Sequence, residues 1–322
     1  MNRNNLSIFN SEMQEFIRFF KRLTLFCLPF ILAAGFIAAV DPFNFLPVKS
    51  VVSNEIKANI SPQLNPCLWK MNIFLRQPID KILLGDSRMQ AIKADDIEAV
   101  NGERYFNFGY GGASLREVID TFWFAAENTK LQKVYLGVNL NIYNDYENTN
   151  RTQVYKSIHD NPTLYFINRT VWQAALESAY SQLTNEDLKI GVPTASREQF
   201  WQDELEIMRL YYRKFVSPKK YKPELQKIAD YCRQNNIELN FIIFPNHTDE
   251  QNLIKEANLE NENQQMRLDL QAFGTVYDFN TENNLTTDKA NFDDPVHLNL
   301  TSRQELIREI WTGNLINGKK LP

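Results

Sequence analysis

The stretch Ile82-Leu83-Leu84-Gly85-Asp86-Ser87-Arg88 decides how the chain is read. Three apolar residues that favour a strand run into a glycine, a carboxylate and a serine, and Met89 to Val100 then takes a helical pattern. The segment is a strand, a tight turn and a helix. A serine in such a turn stands at the carboxyl end of a strand and the amino end of a helix. Parallel sheets place ligands there, and unpaired backbone N–H groups face an anion. Ser87 is therefore a candidate nucleophile. The same residues also make an ordinary helix start, with Asp86 or Ser87 as cap, so the rest of the chain has to supply what a nucleophile needs.

Working outward, Arg104 to Phe108 predicts a second short strand, ending in the loop Gly109-Tyr110-Gly111-Gly112. Ser114, with Glu117 three residues on, predicts a capping box for a helix to about Asn128. Lys133 to Val138 predicts the third strand, which delivers Asn139 and Asn141 to its carboxyl end. From Asn144 to about Ser217 the alternation gives way to helical stretches around Val171 to Leu183 and Glu198 to Phe215. This is an insertion after the third strand, where α/β enzymes build a lid or an acceptor groove. Its aromatics (Tyr165, Phe166, Trp172, Trp201, Tyr211, Tyr212) alternatively form a local core. Beyond it come a helix from Tyr221 to Asn235, a strand from Glu238 to Phe244, a long helix over about Thr248 to Phe273 and a fifth strand from Thr275 to Phe279. This order predicts an α/β fold, a doubly wound parallel five-stranded sheet with a helical insertion after the third strand.

Before the first strand, Leu23 to Val40 carries no charge, and 18 residues of helix rise about 27 Å, close to the hydrocarbon thickness of a bilayer. Arg18, Lys21 and Arg22 precede it and Asp41-Pro42 ends it. The positive-inside bias then keeps residues 1–22 in the cytoplasm and places the remainder outside. A cleaved signal peptide, with Ala33, Ala34, Ala38 and Ala39 as small residues, and a buried core helix are the competing readings. Residues 41–80, rich in Pro and Asn, read as a stalk with no clear periodic element, and 81–322 as the catalytic domain.

Composition narrows the function. With 322 residues and 43% hydrophobic content the chain can bury a full core. A net charge of −4 supplies no basic field, which argues against nucleic acid as a partner. Cys27, Cys67 and Cys232 are too far apart for a Cys-x-x-Cys metal or redox pair, and whether Cys67 and Cys232 pair is left open. No metal site is expected.

What Ser87 needs comes near the other end, in Asp294-Pro295-Val296-His297. A serine hydroxyl requires a base, which His297 supplies, and a carboxylate three residues earlier can turn back to hold the imidazole and stabilise its cation. Asp293 is an alternative orienter. Acyl transfer also needs donors for the charge developing on the carbonyl oxygen. The N–H groups of Ser87 and Gly112 and the side-chain amide of Asn139 suit that role. His247, after the fourth strand, either contacts an acceptor or caps the helix that follows it.

Four blocks in this order resemble the SGNH (GDSL-like) hydrolase superfamily: Gly85-Asp86-Ser87, Asn107-Phe108-Gly109 through Gly112, Gly137-Val138-Asn139, and Asp294 to His297. The third departs from the pattern, because Leu140 stands where an aspartate is usual. The resemblance implies an α/β hydrolase fold, an acyl-serine intermediate at Ser87 and no cofactor. A single amino-terminal span with an exported domain is similar to the membrane-anchored cell-envelope members. By that likeness the expected activity is transfer or hydrolysis of an O-acyl group, acetyl above all, on a cell-surface polysaccharide, with a multispanning acyltransferase as partner. An inactive module that binds glycan or an assembly partner is the alternative.

Overall fold

The computed structural model describes residues 3–186 and 196–321. It divides into two compact units, Met1–Asn65 with Ser157–Ile190, and Pro66–Lys156 with Gly191–Pro322. The insertion read from the sequence is thus shared between them, and its residues 187–195 lie outside the described residues.

In the first unit one helix runs from Arg3 to Val40. Its Met13–Val40 portion is long and apolar enough to cross a membrane, with a mean hydropathy of 2.4 in its most apolar window. Leu25, Phe26, Phe30 and Leu32 are exposed on it, an arrangement water disfavours and lipid does not. The helix stops at Asp41, whose backbone is left-handed (φ 38°). The buried Asp41 carboxylate accepts from the N–H groups of Phe45 (2.9 Å) and Leu46 (3.1 Å) and from the Tyr165 hydroxyl (2.7 Å). Phe36 stacks on Trp172 of the helix Arg169–Thr184, which also packs against a helix at Asn54–Leu64. Residues 41–80 are therefore not free of regular structure as expected. They hold Asn54–Leu64, capped by Ser53, and Pro66–Arg76, which belongs to the second unit.

The second unit is built on one sheet. Its strands are β1 (Lys81–Leu84), β2 (Phe106–Asn107), β3 (Lys133–Gly137), β4 (Glu238–Ile243) and β5 (Thr275–Asp278). All five pair in parallel in the order β2-β1-β3-β4-β5. The fold class is as expected, with two additions. A hairpin of β6 (Phe292–Asp294) and β7 (His297–Leu298) stands apart, and β8 (Lys319–Leu321) closes the sheet as a sixth strand, antiparallel to β5. Two lysines on this short edge suit a strand that must not recruit another chain.

The strand order fixes the layers. Right-handed crossovers from β1 outward to β2 and from β2 back past β1 to β3 put their helices on opposite faces. Accordingly Ala94–Asn101 packs with Leu300–Thr312, and Leu115–Asn128, Tyr221–Gln234 and Glu260–Phe273 pack in series. Strands buried on both faces need continuous apolar runs, and Ile82, Leu83, Leu84, Val134, Leu136, Phe241, Ile242 and Ile243 are all inaccessible to solvent. Chain direction diverges between β1 and β3, and that switch point is where an open parallel sheet leaves a crevice at its carboxyl edge.

Candidate active site

Each strand end delivers one part of the crevice. After β1, Gly85 leads into Asp86, which caps the short helix Ser87–Ala91 by accepting from the Arg88 N–H (3.0 Å). The loop after β2 sits hard against that helix. A side chain at Gly109 would lie 2.3 Å from the Gln90 nitrogen, so only glycine permits the approach. Asn107 holds the two together by donating to the carbonyls of Met89 (2.8 Å) and Ile92 (2.6 Å). Gly112 follows with φ +60°, a left-handed turn that favours glycine. Ser114 and Glu117 form the expected capping box of Leu115–Asn128.

The hairpin β6–β7 brings the far end of the chain to the same edge. Strand alternation buries Asp294 and leaves Asp293 exposed, which decides between the two carboxylates. Asp294 Oδ1 accepts from the N–H groups of Val296 (2.9 Å) and His297 (3.0 Å), and Oδ2 lies 2.7 Å from His297 Nδ1. His297 Nε2 lies 2.6 Å from Ser87 Oγ. With Nδ1–H donating to the carboxylate, Nε2 is left to accept from the serine hydroxyl, the arrangement in which imidazole withdraws a proton from a nucleophile. Burial works against a charged His297. The hydrogen bond and charge of Asp294 outweigh it and raise the histidine pKa above its ordinary 6.5. The structure thus brings together Ser87, His297 and Asp294, 210 residues of sequence separating the first two.

A cleft of about 250 Å³ opens over Ser87 and His297, lined also by Gly112, Asn141, Glu147 and, from the helix Arg197–Arg213, by Glu204, Ile207, Met208 and Tyr211. Among the described residues no backbone or side-chain acceptor takes the N–H of Ser87 or of Gly112.

Asn139 is not brought to the cleft. Val138 N–H still bonds Ile242 O (2.9 Å), which prolongs the sheet by one residue, and both ends of the Asn139 amide are spent on the Phe244 backbone (2.8 and 3.0 Å). The chain then turns, Ile142 and Tyr143 both bonding Asn139 O, and Asn141 faces the cleft instead. His247 is also corrected as a site residue. It caps the helix Thr248–Glu256 by accepting from Asp249 N–H (3.1 Å), its ring packs edge-on against Trp201 and Phe292, and it does not line the cleft.

Two features escaped sequence reading. Arg88 is buried, its guanidinium holding both oxygens of Asp86 and reaching the side-chain oxygens of Asn141 (2.7 Å) and Asn246 (3.1 Å). Burial opposes charge on Asp86, yet Arg88 keeps its pKa below the carboxylate range. Glu204 is the second. Residues 204, 207, 208 and 211 fall at the i, i+3, i+4, i+7 spacing of one helix face, the only signal that could have found it. Burial, helped by the negative charge of Asp294, raises the Glu204 pKa. Arg197 fastens the helix to the hairpin side by donating to the carbonyls of Lys289 and Phe292 (2.7 and 2.8 Å).

A larger hollow of about 590 Å³ lies at the opposite edge of the sheet, lined by Asp80, Lys81, Arg104 and Lys130 among others, with no serine, cysteine or histidine. Cys27, Cys67 and Cys232 are all free thiols. Among the described residues no group of three or more His, Cys, Asp or Glu side chains is placed to hold a metal ion.

The solved structures to which the chain is similar include three bacterial proteins. A candidate platelet activating factor from Streptococcus pneumonia has 10% identity and a TM-score of 0.42, the match covering 80% of this chain and 92% of that one. For a candidate acylhydrolase from Bacteroides fragilis the values are 12%, 0.36, 74% and 90%, and for a GDSL-like lipase from Bacteroides thetaiotaomicron they are 10%, 0.37, 74% and 92%. No protein-family model and no curated protein matches the sequence.

Proposed function

We propose that the chain is a serine-dependent acyl hydrolase or transferase that handles O-acyl groups, acetyl above all, on an extracytoplasmic cell-surface polysaccharide. The observation that carries this reading is the unbroken relay from Ser87 Oγ through His297 to Asp294, with contacts of 2.6 and 2.7 Å, open to a cleft. His297 takes the hydroxyl proton as Ser87 Oγ attacks the ester carbonyl, and the carbonyl oxygen becomes an oxyanion. The N–H groups of Ser87 and Gly112 and the Asn141 side-chain amide meet that charge. Collapse expels the alcohol, which takes the proton back from His297 and leaves an acyl-Ser87 ester. Water or a sugar hydroxyl, deprotonated in turn by His297, then attacks it and frees the serine.

Two observations favour a sugar as the alcohol. Among the described residues Glu204 has no hydrogen-bond or ion-pair partner, and the Tyr211 hydroxyl donates to Glu147 (3.2 Å) in the same cleft. Hydroxyl groups are the natural partners of such carboxyl and phenol oxygens. A helix long enough to cross a membrane supports an envelope location, and Arg18, Lys21 and Arg22 before it support export of the remainder. If an activated acyl donor is made inside, a multispanning acyltransferase has to pass it across.

The test uses the full chain in detergent. It should hydrolyse p-nitrophenyl acetate, lose that turnover in Ser87→Ala, and pass acetyl to an added oligosaccharide. Turnover that survives in Ser87→Ala, or no turnover by the wild-type chain, contradicts the reading and leaves a binding module.

A further inference from the structure

One guanidinium joins the loops after three neighbouring strands. From its place after β1, Arg88 pairs with Asp86, donates through Nη2 to Asn141 Oδ1 after β3 (2.7 Å), and donates through Nη1 to Asn246 Oδ1 after β4 (3.1 Å). Asp86 occupies Nε and part of Nη2, so the fork is fixed in its plane before it meets either amide. Arginine has donors and no acceptor. An asparagine beside it must therefore turn its oxygen inward, because the flipped amide sets NH₂ against NH₂ with both groups buried.

For Asn141 that choice has a consequence at the cleft. With Oδ1 committed to Arg88, the Nδ2 group is the end left over, and Asn141 lines the same cleft as Ser87 and Gly112. We infer that Arg88 is a positioning residue that fixes the orientation of the Asn141 amide and so presents Nδ2 to the oxyanion. Asp86 has the matching task of holding the guanidinium. The inference rests on the acyl-serine reading and adds to it the device that sets one donor. It also accounts for a buried ion pair beside the candidate nucleophile, where an apolar pair would fill the space at less desolvation cost.

The experiment measures kcat and KM for p-nitrophenyl acetate in Asn141→Ala, Asn141→Asp, Arg88→Gln and the Arg88→Gln/Asn141→Ala double variant, each with a melting curve. Asn141→Asp keeps an acceptor for Arg88 but has no donor. It should melt no lower than wild type yet lose roughly 10²–10³ in kcat, as removal of one oxyanion donor does. Arg88→Gln should lose a comparable factor in kcat with KM little moved, and the double variant should fall no further than Asn141→Ala alone. Should Arg88→Gln fail to fold around an unpaired Asp86, the Asp86→Asn/Arg88→Gln pair removes both charges and carries the same expectation. Losses that multiply in the double variant, a loss confined to KM, or an Asn141→Asp protein with wild-type kcat would overturn the inference while Ser87-dependent turnover persists. A wild-type chain without turnover sinks the parent reading and this one together.

Discussion

In the proposed reaction Ser87 and His297, 2.6 Å apart, act on one proton, and this dictates how their losses combine. Without its base the hydroxyl is a poor nucleophile, and without the hydroxyl the base has nothing to activate. Ser87→Ala, His297→Ala and the double variant should therefore lose about the same activity, where independent residues would lose the product of their factors. The base must be neutral to accept, so kcat/KM rises with pH through the His297 ionisation. Because Asp294 raises that pKa, the limb should lie above the ordinary 6.5. In Asp294→Asn it should move to lower pH while the plateau falls, which a pH–rate profile with p-nitrophenyl acetate reads directly. The two asparagines after β3 separate cleanly. Asn139→Ala strips two backbone partners from a buried position and should cost about 1–3 kcal/mol of stability in denaturant unfolding. Asn141→Ala should cost kcat instead. Block spacing pointed to Asn139; what turns Asn141 to the cleft in its place is the extra β3–β4 bond of Val138, a tertiary contact that the local sequence does not encode.

The elements were legible where one local pattern decides them. Apolar strand runs located β1 to β5, and Ser114-x-x-Glu117 located a helix start. Two helices read as continuous are broken. Met89 to Val100 is interrupted at Ile92-Lys93, where Asn107 reaches across from the end of β2 to donate to the carbonyls of Met89 and Ile92, a cause absent from the helix's own sequence. Thr248 to Phe273 breaks at Ala257 to Leu259, where Asn258 turns left-handed (φ 56°), and there the asparagine was a readable signal. In residues 41–80, Pro62 and Pro66 concealed two helices, although Ser53 marked the first. The expected aromatic core of the insertion is divided, Tyr165 and Trp172 falling in one unit and Trp201, Tyr211 and Tyr212 in the other. The helix Arg197–Arg213, together with Glu147, brings the insertion to the cleft. If Glu204 holds an acceptor hydroxyl, Glu204→Ala should lower the ratio of acetyl transfer to hydrolysis about tenfold, the worth of one hydrogen bond of about 1.4 kcal/mol. At the β2 loop, Gly109→Ala drives a methyl into the Gln90 backbone and should cost roughly 1–3 kcal/mol or more of stability.

At the scale of the whole molecule, the apolar helix and the Ser87 cleft belong to different compact units of the chain. The positive residues before the span predict that a reporter fused after Pro322 is active outside the cytoplasm and that the purified protein keeps its amino terminus. A cytoplasmic carboxyl terminus would remove the surface polysaccharide from consideration while leaving the acyl chemistry intact. That chemistry meets its most direct test in an acid-quenched reaction of the full chain with p-nitrophenyl acetate, followed by peptide mass analysis. An acetyl group on the peptide containing Ser87, absent from Ser87→Ala and much reduced in His297→Ala, is the predicted result. Continued turnover with acetyl on another residue, or with none on Ser87 at any quench time, would contradict it.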